Sequence, residues 1–286
     1  MNILITGSNG QLGSEFKNIN ESFNSFNFFF TDVNECDITS KKSISEYITH
    51  KNIYCIINCA AFTNVDNAEK EIKKARKLNE LAVQNLVEIC QENNIKLIHI
   101  STDYVFDGET NKPYVESDPT NPLSIYGRTK LDGEKKIINS KIDGIIIRTS
   151  WLYSLYGKNF VKTMIKLAEN NSIIKVVDDQ FGCPTYAKDL AETCLKILLK
   201  NKKISSKNKL YHFSNIGMIS WFMFAEKIFN FLNIDIKLIS VSSSQFKTLA
   251  HRPKYSVLNK ERIIKDFNLK IPGWEESLKI CLKKIR

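Results

Sequence analysis

Five short apolar runs, each followed by a stretch with helical patterning, constrain the first half of this chain more than any other feature. They are "MNILIT" (1–6), "FNFFFTD" (26–32), "YCIINCA" (54–60), "KLIHIS" (96–101) and "GIIIRTS" (144–150). A strand with one wet face alternates apolar and polar residues, whereas runs apolar throughout belong to strands buried on both faces. Between them "GQLGSEFKNI", "SKKSISEYITH" (40–50), a long segment from about 67 to 92 and another from about 125 to 138 carry helical spacing. Strand–helix–strand repetition forces right-handed crossovers, and so a doubly wound parallel α/β sheet over residues 1–150. Beyond Trp151 the pattern is less regular. "NFVKTMIKLAEN", "AKDLAETCLKILLK" and "SWFMFAEKIFNFL" read as helices, "IIKVVDD" and "LYHFSN" as strands. We expect residues 151–286 to form a smaller C-terminal lobe, with a part at about 187–214 returning to the main sheet. No Gly/Ser linker separates the two, so they should share a tight cleft.

The first strand runs directly into "TGSNGQLG". Gly7 permits a tight turn, Gly10 lets the backbone approach a pyrophosphate, and Gly13 allows close packing of helix on strand. The helix start then presents free N–H groups and a positive dipole end to phosphates. Three glycines alone are a weak signal. Here Asp32 follows about 20 residues beyond Gly13, at the end of the second strand, where an acidic side chain would hold a ribose 2′-hydroxyl. The expectation is therefore a Rossmann-like dinucleotide-binding domain. Asp32 should repel a 2′-phosphate and favour NADH, whereas Ser8 and the positive net charge leave NADPH open.

That net charge is +10, which raises the question of nucleic acid. The lysines are dispersed among Asn, Ile and Glu, with no basic block interleaved with aromatics, so a nucleic-acid partner is not expected. A pocket for an anionic small molecule accounts for the charge equally well. No apolar run approaches the roughly 20 residues of a membrane span, and "MNILITGSNG" lacks a basic leader, so neither a membrane nor a secretory route is expected. The seven cysteines have no repeated CxxC spacing, which suits reduced thiols in the cytoplasm.

"SIYGRTKLDGEKK" places Tyr126 and Lys130 one turn apart on one helix face. Such pairs are common on solvated helices. Strand four, however, ends "HISTDYVFDG", and the carboxyl ends of parallel strands are where ligands bind in open α/β folds. Ser101 and Thr102 point to opposite faces, so only one of them can face that cleft. A phenol with a pKa of about 10 beside a cation in a dry cleft is a proton donor whose acidity the cation can tune.

The GxxGxxG spacing and the set Thr102, Tyr126 and Lys130 resemble the short-chain dehydrogenase/reductase superfamily and its (Ser/Thr)-Tyr-x-x-x-Lys constellation. "STDYVFDG", "YGRTKLDGEK", "IIRTSWLY", "NFVKTMIKLA", "DDQFGCPT" and "RPKYSVLN" narrow the resemblance to the dTDP-4-dehydrorhamnose reductase family, from Met1 to near the C-terminus. The resemblance implies NAD(P)H-dependent reduction of the C4 ketone of dTDP-4-dehydro-L-rhamnose to dTDP-L-rhamnose, for cell-surface polysaccharide. It places Gly7, Gly10, Gln11, Leu12, Gly13, Asp32, Asp37, Ile38, Ala61, Phe62 and Thr63 along the dinucleotide. Thr102 would polarise the substrate carbonyl with Asp103 beside it, Tyr126 would protonate the alkoxide, and Lys130 would hold the nicotinamide ribose and lower the tyrosine pKa. Trp151 would pack against the sugar nucleotide, making the lobe a substrate-binding one, and Thr63, Val65, Tyr104 and Arg252 are further substrate-side candidates. Arg252 in "AHRPKY" is read either as a partner of the diphosphate or as half of a surface salt bridge.

Some members of this family dimerise through a Mg²⁺ ion held by glutamates, one at the position of Glu15. Here the second acidic stretch reads "YAKDLAE", with Lys188 where a carboxylate would stand, so a Mg²⁺ bridge is not expected and a monomer or weak homodimer is. Two alternatives to the reaction stay open: a reductase of a different dTDP-4-keto-6-deoxy sugar, and a non-catalytic regulatory subunit resembling that of methionine adenosyltransferase.

Overall fold

The computed structural model describes residues 1–200 and 209–285. Its central sheet is parallel, built from β1 (Asn2–Thr6), β2 (Asn27–Phe30), β3 (Ile53–Asn58), β4 (Lys96–Thr102), β5 (Gly144–Thr149) and a sixth strand, Lys209–His212, in the order β2-β1-β3-β4-β5-sixth. The register aligns Leu4 with Phe29 on one side and Ile56 on the other. Period-two alternation then sends Ile3, Ile5, Cys55 and Ile57 to one hydrophobic cluster, and Leu4, Ile56, Leu97 and Ile146 to a second. Both faces are therefore covered, as the apolar runs require. At the sheet edge β2 is half-buried.

The flanking helices are α1 (Gln11–Ile19), α2 (Lys41–Ile48), α3 (Val65–Lys70), α4 (Ile72–Arg76), α5 (Ala82–Asn93), α6 (Ile125–Ile138), α7 (Phe160–Asn170), α8 (Ala187–Lys200) and α9 (Trp221–Leu232). Side chains of Ser40, Asn64, Ser124, Asn159 and Ser220 cap the starts of α2, α3, α6, α7 and α9. The single long helix expected from about 67 to 92 is not formed. Glu71 leaves helical geometry at φ −109°, ψ 46°, and residues Lys77–Leu81 make a π turn between α4 and α5. Apolar periodicity persists across both interruptions, so the pattern alone could not report them.

Helix α8 packs on α1 through Leu190, Cys194 and Ile197, in the same cluster as Phe16, and the sixth strand pairs with β5 from Lys209↔Ile145 to His212↔Arg148. Of the segment 187–214 expected to return to the sheet, residues 201–208 lie outside the described residues. The rest of the second half builds its own core, in which Tyr153, Phe224 and Trp274 are buried around a parallel pair of strands, Ile173–Val177 and Lys237–Val241.

Helix α6 is anchored to the sheet by a buried ion pair. Arg148 on β5 donates to both oxygens of Glu134, at 2.9 and 2.7 Å, and Ser101 on β4 donates to the same carboxylate. Glu134 and Arg148 are 0% and 3% exposed. Bidentate geometry of this kind fixes the helix in register as well as in place.

Candidate active site

Strand order reverses between β1 and β3, and the loops at their carboxyl ends open onto a cleft of about 890 Å³. This is where an open parallel sheet binds ligands. At its floor Gly7 has φ +63°, and a Cβ there would lie 2.7 Å from the Cα of Ala60. Only glycine fits that crossing of backbones. Helix α1 begins at Gln11 behind Gly10, with no side chain capping its first N–H groups, so they remain available to an anion in the cleft. Gly10, Gln11 and Leu12 line the cleft. Gly13 does not: it lies beneath the loop, where a Cβ would come within 2.5 Å of Gly7 O and Ser8 Cα.

Asp32 lines the far end of the cleft together with Asp37 and Ile38. Its carboxylate accepts the amides of Asn9 at 3.0 Å and Val33 at 2.8 Å, which ties the end of β2 to the glycine loop. Ala61, Phe62, Thr63 and Val65 form one wall. Asn79, from the π turn, holds that wall in place: it accepts from Phe62 N at 2.8 Å and donates to Phe62 O at 3.1 Å and Thr129 Oγ1 at 3.2 Å. The cleft is also lined by Lys74, Lys77, Lys130 and Lys158 against Asp32, Asp37 and Asp103.

Helix α6 brings Tyr126 and Lys130 to the cleft. Gly127 lets the helix start approach the turn after β4 so closely that a Cβ would meet Tyr104 O at 2.1 Å. As a result Tyr126 stands edge-on to Tyr104, with ring centroids 5.5 Å apart, and lines the cleft together with Thr102. Thr102 Oγ1 donates to Asp103 at 3.0 Å and accepts from Tyr104 N at 3.2 Å. Ser101 also reaches the cleft wall, but its hydroxyl is committed to Glu134. Lys130 is 2% exposed, and its Nζ donates to Ile100 O at 2.6 Å.

Burial shapes the acidities here. Tyr126 keeps an edge open to the cleft, yet the protein crowded around its hydroxyl pushes it up to about 12, opposed by the nearby Thr102 hydroxyl and reinforced by Asp103. Burial pulls Lys130 down to about 8, opposed by Glu134, and raises Asp103 to about 6. The resemblance implies a tyrosine lowered by Lys130. The protein alone does not produce that lowering, because desolvation dominates and the lysine nitrogen is turned onto a backbone carbonyl.

Two substrate-side candidates behave differently. Trp151 lines the cleft in a left-handed backbone conformation, φ +48°. Its indole lies on Trp221, which has no motif of its own and went unrecognised in the sequence. Arg252 does not line the cleft. Its guanidinium donates to both oxygens of Asp66, at 3.3 and 2.6 Å. Glu15 is fully buried and accepts from Ser154 at 2.9 Å, joining α1 to the start of the second half. Sequence reasoning also passed over Asn79 and His99. The signal for each is a polar residue inside an apolar pattern, "KLNELAV" and "KLIHIS".

The family model described as RmlD substrate binding domain matches residues 1–286. A dTDP-4-dehydrorhamnose reductase of Aggregatibacter actinomycetemcomitans is 37% identical, with 97% of each chain covered. Among solved structures, a dTDP-4-dehydrorhamnose reductase of Clostridium acetobutylicum superposes with a TM-score of 0.94 at 38% identity, over 100% of this chain and 99% of that one. A dTDP-4-dehydrorhamnose reductase of Bacillus anthracis, solved in complex with NADP, gives 0.92 at 38% identity over 99% of both chains.

Proposed function

This chain belongs to the RmlD substrate binding domain family, and from that membership and the shape of its cleft we propose that it is an NAD(P)H-dependent dTDP-4-dehydrorhamnose reductase. It reduces the C4 ketone of dTDP-4-dehydro-L-rhamnose to dTDP-L-rhamnose, for cell-surface polysaccharide. The observation that carries the reading is the convergence of Thr102, Tyr126 and Lys130 on the same cleft as the glycine loop.

The residues fit a nicotinamide dinucleotide. A backbone crossing that admits no Cβ at Gly7 and the uncapped start of α1 suit a pyrophosphate. Asp32, Asp37 and Ile38 suit the adenosine end. A nicotinamide held there would supply the hydride to C4. Thr102 polarises the carbonyl with Asp103 behind it, and Tyr126 delivers its phenolic proton to the oxygen as negative charge develops there. A tyrosine raised to about 12 is protonated at neutral pH, as a proton donor must be. Lys130 holds the ribose beside Tyr126. Trp151 forms the wall against which the sugar nucleotide packs, with Thr63, Val65 and Tyr104 nearby.

On this reading residues 1–150 form the dinucleotide-binding unit and 151–286 the substrate lobe. The packing of α8 on α1 supports assigning the segment around 187–214 back to the first unit. The protein works in the cytoplasm as a monomer or weak homodimer, without nucleic-acid or membrane partners. Its seven free thiols suit a reducing compartment. Loss of NADPH or NADH absorbance with enzymatically generated dTDP-4-dehydro-L-rhamnose tests the proposal. Turnover to dTDP-L-rhamnose is expected with at least one cofactor. Tight dinucleotide binding without turnover would overturn it in favour of a regulatory subunit.

A further inference from the structure

Behind the cleft a buried polar chain runs to Lys130 through three residues that the reaction described above does not use. Thr6 Oγ1 on β1 is 2.7 Å from Asn58 Oδ1 on β3, and Asn58 Nδ2 is 3.0 Å from His99 Nδ1 on β4. His99 Nε2 in turn lies 3.5 Å from Lys130 Nζ. Thr6, Asn58, His99 and Lys130 are each no more than 2% exposed. Groups so deeply buried must satisfy one another.

The direction of the chain can be worked out from one end. The backbone N–H of Ala60 can only donate, and it lies 3.2 Å from the same Asn58 atom that receives Thr6. That atom is therefore the amide oxygen, and the nitrogen faces His99. An amide nitrogen only donates, so His99 Nδ1 must offer a lone pair. A neutral imidazole with Nδ1 bare carries its proton on Nε2. His99 is neutral, because burial and the nearby lysine hold its pKa well below the ordinary histidine value. Its Nε2–H then points at Lys130, and an ammonium has no lone pair to receive it. An amine does, and it can still donate to Ile100 O.

We propose that His99 is a positioning residue which, through its Nε2–H, favours the neutral amine of Lys130 in the resting cleft and so sets the pH above which the lysine loses its charge. The other groups facing Lys130 do not reverse this preference. On its own helix Glu134 favours the cation, but Arg148 already neutralises that carboxylate, and Tyr126 lies one turn away. The Cys59 thiol faces it from the end of β3, and the Ile100 carbonyl from β4. Burial of Lys130 favours the neutral amine independently of His99. The functional consequence rests on the reductase reading, in which a cationic lysine beside Tyr126 stabilises the phenolate left after proton transfer.

Two measurements test the proposal separately. Long-range ¹H–¹⁵N spectra of the histidine rings in the intact protein, with His99 assigned from a His99→Gln variant, report the tautomer without any turnover. A neutral Nε2–H tautomer at pH 7 is expected; an Nδ1–H tautomer or an imidazolium at pH 7 overturns the proposal. In the His99→Gln variant the new amide oxygen can turn to Lys130 and favour the ammonium. The alkaline limb of kcat/KM in that variant is therefore expected to move up by about one pH unit, at a melting temperature lowered by loss of the acceptor that faces Asn58 Nδ2. An unmoved limb in a folded variant overturns the proposal. Should the His99→Gln variant not fold, the tautomer of the unmodified protein still decides it. Absence of turnover in the unmodified protein would sink the reductase reading and leave the tautomer result standing.

Discussion

The indole of Trp151 lies flat against that of Trp221, with ring centroids 3.4 Å apart and planes within 5°. Trp221 begins α9, deep in the second half, and Phe160 at the start of α7 leans on it at 4.5 Å. Trp151 has a left-handed backbone that a bulky residue rarely adopts, and the stack fixes the position of its side chain.

Trp221→Ala is therefore expected to act on substrate binding through Trp151. Loss of one aromatic pair is worth about 0.5–1.5 kcal/mol beyond area burial. We expect KM for the dTDP-sugar to rise roughly threefold to tenfold, with kcat and cofactor affinity little changed. Steady-state kinetics at saturating cofactor check this; a fall in kcat at constant KM would contradict it.

Tyr126→Phe removes the phenolic proton and leaves the ring against Tyr104. The rate constant kcat should fall by about 10²–10⁴, the usual contribution of a general acid, with dinucleotide affinity preserved. Single-turnover rates and a fluorescence titration separate the two quantities, and near-normal turnover would remove Tyr126 from its role.

Asp32 should decide between the two cofactors. Its carboxylate lines the cleft beside the glycine loop, held by the amides of Asn9 and Val33. Replacing it with Asn removes a negative charge from the region a 2′-phosphate would occupy. The NADPH/NADH ratio of kcat/KM should rise by at least about tenfold, equivalent to about 1.4 kcal/mol. An unchanged ratio would place the 2′-position elsewhere.

Stability should depend strongly on Glu134. Its substitution by Ala strands the Arg148 guanidinium between α6 and β5, and breaking one side of a buried pair costs about 3–5 kcal/mol. Denaturant unfolding would show it as a lowered midpoint at similar slope. Lys135→Ala, which breaks a surface pair with Asp132 at 2.9 Å, should change stability by less than about 1 kcal/mol.

The sequence by itself carried the parallel sheet, the glycine loop and the Tyr126–Lys130 pair. Each is a local demand. An apolar run states that both faces of a strand are covered, a glycine states that no Cβ fits, and four-residue spacing on a helix states a shared face. The position of Arg252, the support beneath Trp151 and the residues that went unseen depend on partners far along the chain. Arg252 meets Asp66 rather than the cleft, Trp151 needs Trp221, Asn79 turns inward at a π turn to hold Phe62, and His99 faces Lys130 across two elements. The acidity of Tyr126 belongs to this second group, since it follows from how much protein closes around the hydroxyl. Pattern and spacing encode what one stretch of backbone must do; which distant side chains share a dry, crowded space is decided only when the helices and strands pack.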